Sequence, residues 1–419
     1  MSAAVAAAGT SPSAVAALGD VLEPGQDVVV GQGFGAPHAL LAALGEHAER
    51  LAGSRVFVGM LIDRLPELPG TALRTFFPSG PLGTEEALRR HGVEYVPLSL
   101  HELASGLRSG AIPVDVALAQ GTPARDGRHS LGATVDFIGP AVERARVAVL
   151  ETGPEVPWTG AASTVAADRD RVVEVPCGAR PIGLERRVGA RDEQLADHLA
   201  ELIPDGATLQ FGMGGWVGPL VERLARLRRG LRLHTGLLGD WLVGLVASGA
   251  LEGNHPIMGT AAGGTPAFYR WLDGAAGVEL APADVTHDPL TLESLPRFHA
   301  INSVLEVCLK GNVNTEVGHG GRRGGVAGLA DYAGGATRNP DGVSIVALPA
   351  SAGGRSRIVV SLAADRPSLP AKTVDVVVTE HGVADLRGRD PRERARALAA
   401  VAAPEHRAAL ERAAAELEL

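Results

Sequence analysis

Only two cysteines, Cys177 and Cys308, occur in 419 residues, and neither sits at metal-ligand or redox spacing. That excludes a disulfide framework and a cysteine-built zinc site, so a reducing cytoplasm and no metal are expected. Aromatic residues make up only 4 %, which leaves Leu, Val and Ala to fill the core. No apolar run approaches the length that crosses a bilayer. The N-terminus, MSAAVAAAGTSPSAVAALGDVL, is Ala-rich but lacks the basic segment of a secretory signal. Cations are also short: 39 Lys and Arg face 48 Asp and Glu, a net charge of −9. Nucleic acid and anionic membranes are therefore not expected partners. An anionic small molecule would need local compensation from glycine amides, helix N-termini or a few arginines. A Walker lysine is missing, and no G-x-G-x-x-G stands with an acidic residue at dinucleotide spacing.

What is present is globular: 45 % hydrophobic and 21 % charged residues, in a chain too long for one ordinary core. Strand-like runs (DVVVGQG, RVFVGML, VDVALAQG, RVAVLE, RVVEVP, then ATLQFGMG, VSIVALP, RIVVSL, VDVVVTEHG) alternate with helical stretches near 37–52, 141–147, 192–203, 217–228 and 391–418. Near-continuous apolar strands between helices predict α/β architecture with largely parallel sheets. Pro404 should split the last helix in two. An internal echo supports two units: EPGQDVVVGQGFGAPHALL and IPDGATLQFGMGGWVGPLV run proline, turn, strand, glycine-rich turn, helix. Superposing Gly31 on Gly212 also superposes Gly33 on Gly214. The boundary is placed in the Arg-rich linker, giving domains 1–185 and 186–419.

Glycine lets backbone amides approach a phosphate or an oxyanion closely, so the turn Gly212-Met213-Gly214-Gly215 is a candidate ligand cradle. The same turn could equally serve tight packing. A second glycine cluster, residues 302 to 336, holds Glu316, Arg322 and Arg323, and so long a Gly-rich connection in a compact protein is more often functional than idle. Adjacent arginines could meet phosphates; solvated arginines on an exposed loop are the alternative.

The segments FHAINSVLEVCLKGNVNTEVG, GGVAGLADYAGGA, GVSIVALPASAGGRSRIV and above all VDVVVTEHGVADLRGRDPRERARAL resemble the acetyl-CoA hydrolase/CoA-transferase family, which includes 4-hydroxybutyrate and acetate CoA-transferases. First-half segments such as IPVDVALAQGTPARDGRHSLGATVDF agree, so the resemblance runs from about residue 20 to 415. It implies two similar open α/β domains, an active site in the interdomain cleft and a homo-oligomer; a hetero-oligomer with an active homologue belongs to the non-catalytic alternative. Coenzyme A or acyl-CoA would be substrate, with no permanently bound cofactor.

In that family a glutamate carboxylate attacks the thioester and becomes a glutamyl-CoA, in a pattern like H-S-E-x-x-x-D-G. Here the segment reads His234-Thr235-Gly236-Leu237-Leu238-Gly239-Asp240, with glycine where the nucleophile is expected. Other departures cluster with it. A loop resembling G-V-G-G-Q-x-D-F reads Gly325-Val326-Ala327-Gly328-Leu329-Ala330-Asp331-Tyr332, and the D-E-x-G-Y-like segment reads Arg125-Asp126-Gly127-Arg128-His129. The I-H-V-S-like segment appears as STVAA.

Candidates for catalysis are therefore His234, on the strand face of Gly236 by alternation; Glu316, the better placed remaining carboxylate; and Asp240, as an orienting partner or a helix N-cap. Each has a plain packing alternative. Gly212, Met213, Gly214, Gly215, Gly325 and Gly328 are the candidate CoA-binding positions. The leading expectation is an acyl thioester enzyme that passes the acyl group directly to water or to a non-carboxylate acceptor. The alternatives are a non-catalytic thioester-binding homologue and an ordinary CoA-transferase with a relocated carboxylate.

Overall fold

The computed structural model describes every residue except 1–10, 63, 169, 184–187, 319–320, 323, 365 and 417–419. Arg323 and the 185/186 boundary fall outside the described residues. Two large sheets carry the fold. The first has 7 strands, in the spatial order Glu94–Tyr95, Ala72–Thr75, Arg55–Val58, Asp27–Val30, Val116–Gly121, Val147–Thr152, Val172–Pro176, paired in parallel throughout. The second has 8: Val278–Leu280, Ile257–Ala262, Arg232–Leu238, Thr208–Phe211, Phe298–Ser303, Val343–Ala347, Val376–Thr379 and Gly382–Asp385. Only its last pair is antiparallel.

Numbered within its own sheet, each half has the strand order 4-3-2-1-5-6-7, to which the second adds an eighth strand at the far edge, so the sequence echo is a repeated topology. The match extends to single bonds. Gly31 N–H donates to the Leu118 carbonyl at 2.8 Å, and Gly212 N–H to the Ile301 carbonyl at 2.7 Å, each joining the end of strand one to strand five. Both glycine turns thus leave the C-terminal edge of a central strand where the strand order reverses, the place at which open α/β sheets bind ligands.

Local chemistry explains the helices. Ser99 and Glu102 form a reciprocal capping box at Leu100–Ser109, and Asp390 with Glu393 does the same at Pro391–Ala400. Pro404 opens a separate helix, Pro404–Ala415, as its fixed φ and missing N–H require. Val217–Leu227 turns Leu220, Val221 and Leu224 inward, each at 2 % exposure or less, with Arg223 and Arg226 on the opposite side. The run RIVVSL departs from expectation. Only Ile358–Val359 is strand, and it joins Glu306–Cys308 and Val313–Asn314 in a small separate sheet. Ile257–Ala262, by contrast, is a strand paired on both sides, one in from the sheet edge, hidden in the sequence by Gly259, Thr260 and alanines.

The two halves meet through main-chain bonds: Ala262 N–H to the Ala133 carbonyl, Val135 N–H to that of Thr260, and Leu100 N–H to that of Ala327. One apolar core cluster, including Phe57, Phe76 and Phe137 of the first half and Phe211, Leu238 and Phe268 of the second, runs through both. The cleft between the sheets is therefore fixed by packing and hydrogen bonds together.

Candidate active site

A chamber of about 240 Å³ opens in this cleft. Both halves line it: Gln32, Gly33, Phe34, Phe76 and Asp136 from the first, Gly212, Met213, Gly236, His287, Gly328 and Tyr332 from the second. Aromatic and aliphatic side chains make up most of the apolar wall, and Gln32, Asp136, Gln210, His287 and Asn302 are among the polar residues that interrupt it.

Position 236 faces this chamber. A Cβ built on Gly236 would meet Tyr332 Cε2 at 3.4 Å, the Tyr332 hydroxyl at 3.6 Å and His287 Nε2 at 3.9 Å, all ordinary contacts. The strand thus presents bare backbone where a side chain would fit. His287 and Tyr332 stand opposite, ring centroids 4.3 Å apart and inclined at 46°. Burial of the Tyr332 ring raises its pKa, and its hydroxyl has no hydrogen-bond partner of normal geometry, although Thr260 lies beside it. An unmet buried hydroxyl is costly, and it marks a place where a ligand can bond.

His287 Nδ1 lies 2.9 Å from Thr286 Oγ1. Thr286 Oγ1 also lies 2.7 Å from Thr260 Oγ1 and 3.2 Å from the Pro282 carbonyl, either of which can take its single proton. When Thr286 donates to either of them, Nδ1 carries the imidazole proton as donor to Thr286 and Nε2 keeps its lone pair toward Gly236; a Thr286 proton given to Nδ1 reverses the two nitrogens. Burial, followed by His234 and His101, pushes the His287 pKa well down, so the ring is neutral at pH 7. Gly328 is a steric consequence: a Cβ there would stand 2.5 Å from Nε2. His287, in APADVTHDPLT, carried no motif signal of its own; its role is visible only after folding.

The expected catalytic residues are placed differently. His234 is on the face that carries Gly236 but one pleat deeper, outside the chamber lining. Its Nε2–H is tied to the Thr286 carbonyl at 2.6 Å, and burial lowers its pKa. It supports the segment bearing His287. Both oxygens of Glu316 are engaged: Oε1 accepts from Tyr95 and Arg322, both at 2.7 Å, and Oε2 from Ser368 at 2.7 Å. With the Arg322 guanidinium 3.9 Å above the Tyr95 ring, it joins the two halves. Asp240 accepts from Thr265 N–H and hydroxyl, and Thr265 caps the helix Pro266–Leu272. It does not orient His234.

The cradle residues divide. Gly212, Met213, Gly325 and Gly328 line the chamber, whereas Gly214 and Gly215 border a second cavity of about 500 Å³ behind it. Cβ atoms at 214 and 215 would run into Trp216 and the Asp192 carboxylate, and one at 325 into the Phe76 carbonyl at 2.0 Å. Between Gly325 and Gly328, Ala327 adopts φ +46°, a conformation natural to glycine.

Other nucleophile candidates are accounted for. The Thr235 hydroxyl bridges the Phe211 backbone between diverging strands, Cys308 is buried in the small sheet, and burial with Glu151 pushes the Cys177 thiol up to about 11. Asp136 is the one carboxylate on the chamber wall among the described residues. It accepts from Gln32 Nε2 at 2.6 Å and from the amides of Phe137 and Ile138, and desolvation nonetheless lifts its pKa to about 6.

Comparison with known proteins agrees with this architecture. Residues 264–414 match the acetyl-CoA hydrolase/transferase C-terminal domain. The chain is 31 % identical over 401 residues to 4-hydroxybutyrate coenzyme A transferase of Clostridium kluyveri, covering 91 % of this chain and 92 % of that one. It is 30 % identical over 344 residues to succinyl-CoA:cyclohexane-1-carboxylate CoA transferase of Geobacter metallireducens, covering 79 % and 78 %. The crystal structure of 4-hydroxybutyrate CoA-transferase from Porphyromonas gingivalis superposes with a TM-score of 0.78 at 29 % identity, covering 95 % of each chain. With near-complete coverage by such relatives and a shared two-sheet fold, the chain belongs to the acetyl-CoA hydrolase/CoA-transferase family, a family of acyl-CoA transferases and thioester hydrolases.

Proposed function

We propose that the protein binds an acyl-CoA in the interdomain chamber and transfers the acyl group directly to water or to a non-carboxylate acceptor, without an enzyme-bound CoA thioester. The observation that carries this is the bare backbone of Gly236, open to the chamber with room for a side chain. By its family resemblance, this is where the attacking glutamate belongs. Without that carboxylate the acyl-glutamyl anhydride and the glutamyl-CoA cannot form there, and the acceptor has the space instead. Glu316 does not restore the route, because it is not among the residues lining the chamber and both its oxygens are held by Tyr95, Arg322 and Ser368.

Incubation with acetyl-CoA or butyryl-CoA, following thiol release with and without alcohol or amine acceptors, tests the reading. Acceptor-dependent or hydrolytic release is expected; absence of both turnover and CoA binding overturns it. A second reading, an ordinary CoA-transferase with a relocated carboxylate, has one observation in its favour: the chamber-facing Asp136 with its raised pKa. Acetate-dependent CoA transfer that disappears in Asp136→Asn would select it.

A further inference from the structure

Resting on the direct-transfer reading, we infer that the space over Gly236 is the acceptor site and that it takes a protic nucleophile, a hydroxyl or an amine, whose proton passes to His287 Nε2. Three independent features converge on this space. Gly236, His287 and Tyr332 line one chamber, and the Cβ direction at 236 points between them, its Cβ position 3.9 Å from His287 Nε2 and 3.6 Å from the Tyr332 hydroxyl, so an acceptor held in the chamber against the bare strand lies beside both groups. Thr286, able to give its proton to Thr260 Oγ1 or to the Pro282 carbonyl, can accept from Nδ1–H, the tautomer in which Nε2 is the acceptor. Tyr332, 2 % exposed, holds an unpartnered hydroxyl against the same space.

The step balances with these groups alone. The acceptor oxygen or nitrogen forms a bond to the thioester carbonyl carbon while its proton moves to Nε2, and the carbonyl π pair moves onto oxygen. The Tyr332 O–H donates to that oxyanion. Collapse re-forms the C=O bond and breaks the C–S bond, the electron pair leaving on sulfur. The imidazolium returns its proton to the thiolate, giving CoA thiol and an ester or amide. A carboxylate acceptor has no proton for Nε2 and gains nothing from this arrangement.

The test uses the full-length protein with butyryl-CoA at pH 8 and propylamine, propanol, acetate or water, with products read by mass spectrometry. Wild type is expected to form the propyl amide or propyl ester and no acetyl-CoA. His287→Gln should lose acceptor-dependent transfer by about 10²-fold or more with butyryl-CoA affinity unchanged, and Tyr332→Phe should lower kcat rather than raise the KM for butyryl-CoA. Gly236→Ala, which the spacing accommodates, should raise the KM for propylamine or propanol while leaving butyryl-CoA binding unchanged. Full transfer by folded His287→Gln, or an unchanged acceptor KM in Gly236→Ala, overturns the inference and leaves direct transfer standing. Wild-type transfer to acetate alone overturns both.

Discussion

Gly328 and His287 are packed so tightly that a methyl group on Gly328 would stand 2.5 Å from Nε2 and 2.8 Å from Cδ2 of the imidazole. The φ of Gly328 is −83°, so the backbone does not demand glycine; the histidine does. Gly328→Ala is therefore expected to push the ring toward Gly236, cost about 1–3 kcal/mol of stability through overpacking, and reduce acyl transfer at least tenfold. Thermal melts and steady-state kinetics read the two effects separately.

Ala327, two residues past Gly325 in the same loop, gives the opposite expectation. An alanine at φ +46° carries left-handed strain of about 1–2 kcal/mol, partly offset by its smaller loss of chain entropy relative to glycine. Ala327→Gly should be neutral to stabilising by roughly 1 kcal/mol, measured as an unchanged or raised denaturation midpoint. A clear loss of stability would show that the alanine methyl contributes packing that outweighs the strain.

Glu316 serves as a clamp between the halves, so its removal should be felt in stability. Three bonds converge on its carboxylate. Glu316→Gln is expected to lose roughly 2 kcal/mol, the scale of hydrogen bonds to a charged group, while folded protein keeps its turnover within a few-fold. Abolished activity at wild-type stability would instead assign this carboxylate to the chemistry.

Acidity should act on stability through two opposed sets of groups. Burial lifts Glu151 from 4.5 to about 7 despite bonds from the Ala39 and Leu40 amides. Its folded pKa is above the unfolded one, so its contribution is full below about pH 4.5 and is lost as pH rises through about 7, a swing on the order of 3 kcal/mol. The buried histidines His234, His287 and His299 have lowered pKa values, so the unfolded chain takes up protons first and stability falls as pH drops below about 6.5. Glu151→Gln should therefore become more stable relative to wild type between pH 5 and 8. Melting temperatures across that range would show no such divergence if Glu151 ionises freely in the fold.

A neutral His287 base also fixes the shape of the rate profile. The ionisable groups acting on it are His234 and His101, with Asp331 on the adjoining helix bonded to the His101 amide. Its low pKa keeps Nε2 unprotonated through neutral pH, so kcat/KM is expected to hold level from about pH 6.5 upward and to fall only on the acid side. An acid limb centred above pH 7 would point to another base.

Much of this was legible in the sequence, for physical reasons. The two glycine turns and their preceding strands repeat because each half ends strand one in a turn whose first amide bonds strand five, and Gly31 and Gly212 do make equivalent bonds. Position 236 stood out in the sequence as a missing side chain in a patterned segment, and in the fold it lies on the chamber wall. Strand alternation also placed His234 on the right face, but alternation gives no depth, and the Thr286 carbonyl claims that ring. His287 lies about fifty residues away, on a segment without periodic or motif signal, and reaches Gly236 only because sheet order brings it there. Glu316 and Asp240 looked available because a sequence does not show that Tyr95, Ser368 and Thr265 will consume their oxygens.

Intact-protein mass measurement during turnover tests the central claim most directly. Wild-type protein incubated with butyryl-CoA should show no covalent CoA adduct while product accumulates, and Gly236→Glu should acquire one. A CoA-mass adduct on the turning-over wild-type protein, lost on borohydride treatment, would contradict the account.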